Sequence, residues 1–210
     1  MTDPVAEAAA ALERGELVVL PTDTVYGLAA RPDDPAATEA IFRAKGRPKD
    51  LTLPVLVASL EDARRVGVLD PRAERLARAL WPGPATLVVP RTEASRPWSL
   101  GGQGETVGLR IPDHRLARAL LVRTGPLAVT SANRSGEPPA ATCEELVGIF
   151  GDRVAVYLCD EAEPLAGRPS TVVDLADERP RVLRAGALDP ATIDRLLAGE
   201  DPLLDSGPRG

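Results

Sequence analysis

Histidine is almost missing from this chain: His114 is the only one. That excludes histidine-based metal clusters and leaves little room for a Ser-His-Asp device. His114 itself reads as a surface residue at the start of a helix. Aromatic residues make up only 3%, so the core has to be built from Leu, Val, Ile and Ala. The same scarcity argues against the stacking platforms of single-strand nucleic-acid binders. Two cysteines, Cys143 and Cys159, have neither metal-type spacing nor a disulfide framework around them, and they read as reduced, partly buried thiols. No uncharged run approaches membrane-spanning length, and the first residues lack a basic segment followed by an apolar one. The expectation is a cytoplasmic protein with no membrane partner. A net charge of −6 gives no global steering towards nucleic acid, which leaves only a local basic groove for such a role.

What is present is ordinary for a soluble protein: 44% hydrophobic and 27% charged residues in a chain of 210. That length suits one domain, read over residues 1–200, with the Pro/Gly/Asp-rich residues 201–210 as a disordered tail. Asp-Pro pairs at Asp3, Asp34, Asp70 and Asp189 each precede an Ala/Leu/Arg-rich segment, placing Asp at an N-cap and Pro at the first helical position. Helices are expected near Pro4–Arg14, Ala36–Lys45, Leu60–Val66, Arg72–Leu80, His114–Arg123, Glu144–Phe150 and Ala191–Leu197. Thr142 and Glu145 have capping-box spacing before the sixth. Apolar runs at Leu17–Leu20, Leu53–Val57, Ala85–Val89, Val107–Ile111, Leu127–Thr130, Val154–Leu158, Thr171–Leu175 and Arg181–Leu183 read as strands. Their interleaving with helices indicates an α/β fold with a mixed or largely parallel sheet.

Polar groups gather at the ends of these strands. Pro21 closes the first run and is followed by Thr22, Asp23 and Thr24, with Gly27 freeing the backbone to turn or approach a ligand. Lys45, Gly46 and Arg47 end the second helix; Gly46 should stop it and throw Arg47 into the loop beside Lys45, a pairing suited to phosphate oxygens. Trp81-Pro82-Gly83-Pro84 dictates a rigid corner that positions Thr86. Strand alternation puts Thr106, Gly108 and Arg110 on one face, where Arg110 has room to reach a carboxylate. Ser131, Asn133 and Ser135 follow a buried run, Ser170 enters another, and Arg184 ends a third. None of these groups supplies a covalent nucleophile with its base. Such a site binds anions and positions reactants, which suffices for phosphoryl or nucleotidyl transfer.

In this order the motifs resemble the YrdC/TsaC-like threonylcarbamoyl-AMP synthase family in its single-domain form. The resemblance rests on Pro21–Leu28, Lys45-Gly46-Arg47, Trp81–Pro84, Arg110-Ile111-Pro112, Ser131–Gly136, Ser170–Asp174 and Arg184-x-Gly186, over roughly residues 5–197. It implies a YrdC-like α/β fold, a twisted mixed sheet with flanking helices around an open concave groove. It implies an enzyme that makes threonylcarbamoyl-AMP and pyrophosphate from L-threonine, bicarbonate and ATP. Mg²⁺ would be held through the ATP phosphates and not by protein ligands. A separate complex would pass the threonylcarbamoyl group to tRNA, and a weak direct contact to tRNA or double-stranded RNA is a further expectation. By the family pattern Lys45 and Arg47 are the catalytic cations. ATP would be bound by them with Thr106, Ser131, Asn133 and Arg184, and threonine by Thr24, Arg110, Val129 and Ser170. The chain departs from the pattern at Leu51-Thr52-Leu53-Pro54, at Glu161–Arg168 and at Ala185. The alternatives are an RNA-binding module and an inactive paralogue of the same fold.

Overall fold

The computed structural model describes residues 3–160 and 165–199. The expected tail and Glu161–Pro164 lie outside the described residues. The four Asp-Pro pairs read as helix starts do what their chemistry dictates. Asp3, Asp34, Asp70 and Asp189 accept hydrogen bonds from the amides of Val5, Ala36, Ala73 and Ala191 at 3.0, 2.9, 2.8 and 3.1 Å. They cap α1 (Pro4–Glu13), α2 (Pro35–Lys45), α4 (Pro71–Leu80) and α7 (Pro190–Leu197), each with proline in its first turn. Ser59 caps α3 (Leu60–Val66), and the capping box of Thr142 and Glu145 opens α6 (Cys143–Phe150).

His114 corrects one expectation. It does begin a helix, α5 (Arg115–Thr124), but it is buried, and its Nδ1 accepts the amide of Leu116 at 3.3 Å. An imidazole nitrogen replaces the usual carboxylate or hydroxyl as cap, and capping draws the ring inward.

The strands are β1 (Val18–Leu20), β2 (Gly27–Ala30), β3 (Val55–Leu56), β4 (Ala85–Pro90), β5 (Thr106–Arg110), β6 (Leu127–Ser131), β7 (Val156–Tyr157), β8 (Thr171–Asp174) and β9 (Arg181–Arg184). They form a nine-stranded mixed sheet in the order β7-β1-β2-β6-β3-β5-β4-β8-β9. Three neighbour pairs are parallel and five antiparallel, so the sheet is mixed and not largely parallel. The short link 21–26 between β1 and β2 permits only antiparallel pairing. The strand β2 has no counterpart in the sequence reading. Gly-Leu-Ala-Ala holds no β-branched residue and follows a polar stretch that reads as a turn. It forms because β1 and β6 pair with it on either side. Gly27 is thus a strand residue. The strand read at Leu53–Val57 shortens to β3: Pro54 has no amide to give, and the Leu53 amide bonds Leu100 O at 2.7 Å instead.

Alternation divides the core in two. Leu17 and Val19 face one apolar layer, Val18 and Leu20 the other, as the unbroken run Leu17–Leu20 requires of a doubly buried strand. The larger layer packs α2, α3, α4, α6 and α7 against Val55, Leu87, Val89, Val107, Leu109 and Val173. The smaller one packs Leu12 of α1 and Leu120 and Leu121 of α5 against Leu56, Leu127 and Val129. On that second face α1 and α5 cover only the β1, β2, β3 and β6 side. The opposite faces of β4, β5 and β8 carry Thr86, Val88, Gly108 and Val172, and they floor an open cleft.

The cysteines correct a second expectation. Cys143 and Cys159 are partly buried, as read, but they form a disulfide with their Cα atoms 6.0 Å apart. Helix α6 returns the chain to β7 beside its own start, a closure that spacing alone does not reveal. Among the described residues no helix is long and apolar enough to cross a membrane.

Candidate active site

The cleft encloses about 380 Å³ and is lined from strands distant in sequence. Strand β5 aims Thr106, Gly108 and Arg110 into it, as alternation requires, while Val107 and Leu109 point into the core. Of the candidate residues, Thr24, Arg47, Thr106, Arg110, Val129, Ser131, Ser170 and Arg184 line this one cavity.

Arg110 anchors one end. Its guanidinium is buried and donates from Nε to Gly83 O at 2.9 Å and from Nη1 to Thr24 Oγ1 at 2.9 Å. Nη2 donates to Asp23, which also accepts the Asp113 amide. Burial lowers the Arg110 pKa, and Asp23 opposes that shift. Behind this contact the Thr24 and Thr22 hydroxyls meet at 2.9 Å, and Thr22 donates to Val25 O at 2.6 Å. The Pro-Gly-Pro corner therefore seats the guanidinium through the Gly83 carbonyl as well as turning the chain.

Arg184 lies at the other side. Its Nη2 donates to the Ser170 carbonyl at 2.9 Å and to Ser170 Oγ at 3.1 Å. Gly186 fits beneath it because a Cβ there would overlap the Pro169 and Ser170 carbonyl groups. Arg47 is half-buried and donates to Thr52 O at 3.3 Å; burial and the charge of Arg184 both lower its pKa. Its Nε is buried without a partner among the described residues.

Lys45 and Asn133 stand behind the wall. Gly46 ends α2 in the left-handed conformation at φ 62° and leaves Lys45 in the last turn, buried. The Lys45 ammonium donates to the carbonyls of Ser131 and Asn133, and to Asn133 Oδ1 at 3.2 Å. Asn133 Nδ2 closes the same turn through Arg134 O at 2.8 Å and Glu137 O at 2.6 Å. Lys45 thus clamps the loop that presents Ser131. Its three N–H groups are all engaged, and burial followed by the Arg47 charge lowers its pKa to about 8.

Sequence reasoning placed no ligand contact at Thr52, Thr86 or Thr130, which also line the cavity. For Thr86 the signal was available, since Thr86 and Val88 alternate with the core residues Leu87 and Val89. Residues 165–168 reach the rim, where the Gly167 amide donates to Thr24 O at 2.8 Å. Among the described residues no group of three or more His, Cys, Asp or Glu side chains is placed to hold a metal ion.

The arrangement is cation-rich: Arg47, Arg110 and Arg184 border one cavity and Lys45 backs it, while Asp23 pairs with Arg110 and the charge of Asp50 acts on Arg47. Half-buried positive charges near one another are costly without an anion, so the cleft suits a polyanionic ligand with a second acceptor group at Arg110.

Comparison with known proteins gives a consistent result. Residues 10–186 match the Sua5/YciO/YrdC family model, described as "Telomere recombination". A Mycobacterium leprae protein provisionally named threonylcarbamoyl-AMP synthase is 45% identical over 195 residues, 92% of this chain and 87% of that one. The threonylcarbamoyl-AMP synthase of Chromohalobacter salexigens is 39% identical over 176 residues, 82% of this chain and 93% of its own. Among solved structures, Pyrococcus abyssi Sua5 complexed with L-threonine superposes with a TM-score of 0.82 at 36% identity, covering 91% of this chain and 56% of that one. Escherichia coli YciO superposes with a TM-score of 0.80 at 28% identity, covering 88% and 90%. A match over most of the chain, carried by relatives that it spans nearly end to end, makes this protein a member of the Sua5/YciO/YrdC family.

Proposed function

We propose that this chain is a threonylcarbamoyl-AMP synthase, and that the cleft between Arg110 and Arg184 is its active site. The observation that carries the reading is the placement of three arginines around one hydroxyl-lined cavity, with a buried lysine behind its wall. Relatives at 39% and 45% identity carry that activity in their names.

In this reading Arg110 takes the carboxylate of L-threonine, with Thr24 and Ser170 beside it and the Val129 segment as a wall. Arg47 and Arg184 take phosphate oxygens, and Thr106 and Ser131 contact the nucleotide. Lys45 and Asn133 act from behind Ser131, holding its loop and adding positive charge. Mg²⁺ enters with the nucleotide as part of the MgATP substrate. Bicarbonate first carboxylates the threonine amine: the N–C bond forms, a C–O bond of bicarbonate breaks, and its hydroxyl leaves with an amine proton as water, giving a carbamate. A carbamate oxygen then attacks the α-phosphorus, a P–O bond forms, and the bond to pyrophosphate breaks with the electron pair leaving on pyrophosphate. The cations stabilise the charge that develops on the phosphoryl oxygens, and no protein nucleophile takes part. The product would be consumed by a transfer enzyme acting on tRNA. A net charge of −6 and the absence of a basic run do not favour RNA binding as the main role.

Labelled bicarbonate tests the reaction. Incubation with L-threonine and MgATP should place the label in an adenylate that also contains threonine. Label that never enters a nucleotide-containing product contradicts the proposal.

A further inference from the structure

The floor of the cleft holds a hydroxyl pair with one proton to spare. Thr86 Oγ1 and Ser170 Oγ lie 2.8 Å apart, both in side chains that are almost wholly buried, and both residues line the cavity. Arg184 has only donors, so its Nη2 makes Ser170 Oγ an acceptor at 3.1 Å. Within the pair one hydroxyl donates to the other. Whichever does so, one O–H group is left for the cleft.

The register places that group. Leu87 pairs with Leu109, so Thr86, one residue earlier on β4, lies opposite Arg110, one residue later on β5. Ala85 pairs with Thr171, which brings Ser170 to the same end of the sheet. The spare hydroxyl proton and the Arg110 guanidinium therefore belong to one end of the cleft.

Thr86 has the means to fix its direction. Its Cγ2 methyl sits over the α-carbon of Gly108; a Cβ on that glycine would come within 3.0 Å of it. A β-branched side chain has few χ1 choices, and seating the methyl on Gly108 aims the hydroxyl at Ser170. The Ser170 backbone is held by two bonds from Arg184 to its carbonyl, at 3.2 and 2.9 Å. Its hydroxyl rotor is held by Arg184 and Thr86 together.

We infer that Thr86 is a positioning residue: it orients the Ser170 hydroxyl so that the pair donates one hydrogen bond to the carboxylate of an amino-acid substrate held by Arg110. The inference rests on the proposed amino-acid site. It makes Thr86 part of the recognition of the α-carboxylate, and not of the nucleotide.

Titration calorimetry of L-threonine and of MgATP, each onto wild-type protein and variants, tests it. Thr86→Val, which keeps the shape and the Gly108 contact, should weaken L-threonine binding about five- to tenfold, the cost of one misdirected hydrogen bond to a charged acceptor. MgATP affinity should stay within about twofold, and Thr86→Ser, which keeps the hydroxyl but not the methyl that aims it, should recover only part of the loss. In a Ser170→Ala background Thr86→Val should add less than about twofold, because Thr86 acts through Ser170. An unchanged threonine affinity in Thr86→Val overturns the inference. So does an equal loss for both ligands, or a full additive loss in the double variant. Wild-type protein that binds no L-threonine overturns the amino-acid site itself, a result distinct from any of these.

Discussion

At the scale of single residues, the cleft is built from groups whose hydrogen bonds are already assigned before a ligand arrives. Arg110 has Gly83, Thr24 and Asp23, and Arg184 has Ser170. Prearranged donors lose little on binding, which is how a site without a nucleophile accelerates transfer. Lys45 shows what this costs. Its ammonium is buried beside Arg47, and its pKa falls to about 8. Losing the proton removes the positive charge behind Ser131 and one donor to the 131–133 loop, so the proposed function makes the protonated form the active one. Pyrophosphate release should therefore fall as pH rises through about 8, approaching tenfold per unit beyond it. In Lys45→Arg the fall should move to higher pH, because a guanidinium keeps its proton. A pH–rate profile at saturating substrates checks this; an unmoved alkaline limb in Lys45→Arg assigns it to another group. Much at this scale was legible in the sequence. The positions of Lys45, Arg47, Arg110, Ser131, Ser170 and Arg184 beside strand or helix ends followed from glycine, proline and alternation. The engagement of Arg110 by Asp23 did not, since residues 87 positions apart meet only through the fold.

Elements were easiest to read where local chemistry decides them. Aspartate before proline starts a helix through its own carboxylate, and the helices read after Asp3, Asp34, Asp70 and Asp189 form. Elements that depend on distant partners were misread. Strand β2 exists because β1 and β6 flank it, and β3 shortens because the Leu53 amide bonds Leu100 O. The disulfide belongs to this scale as well, for it ties the start of α6 to the residue two beyond β7. With Cys143 and Cys159 separated by 16 positions, the cross-link should contribute about 3 kcal/mol through the unfolded chain. Reduction should then lower the melting temperature by roughly 6–12 °C. Cys143→Ser should melt at the same lowered temperature and respond no further to reductant. Thermal unfolding followed by circular dichroism checks both; melting indifferent to reductant contradicts the assigned contribution.

For the whole molecule, the uneven helix layers explain where the site lies. Among the described residues, five helices cover one face of the sheet, while α1 and α5 cover only part of the other. The exposed floor of β4, β5 and β8 is left to hydroxyls, a glycine and cations. The fold class was legible as interleaved strands and helices. The strand order was not, because hydrophobic pattern fixes which face is buried but not which strand lies next to which. The proposed function has this floor join threonine, bicarbonate and ATP. The most direct measurement is pyrophosphate release from MgATP, with L-threonine and bicarbonate each left out in turn. Release that requires both is the predicted result. Release indifferent to threonine, or none with all three present, would contradict it.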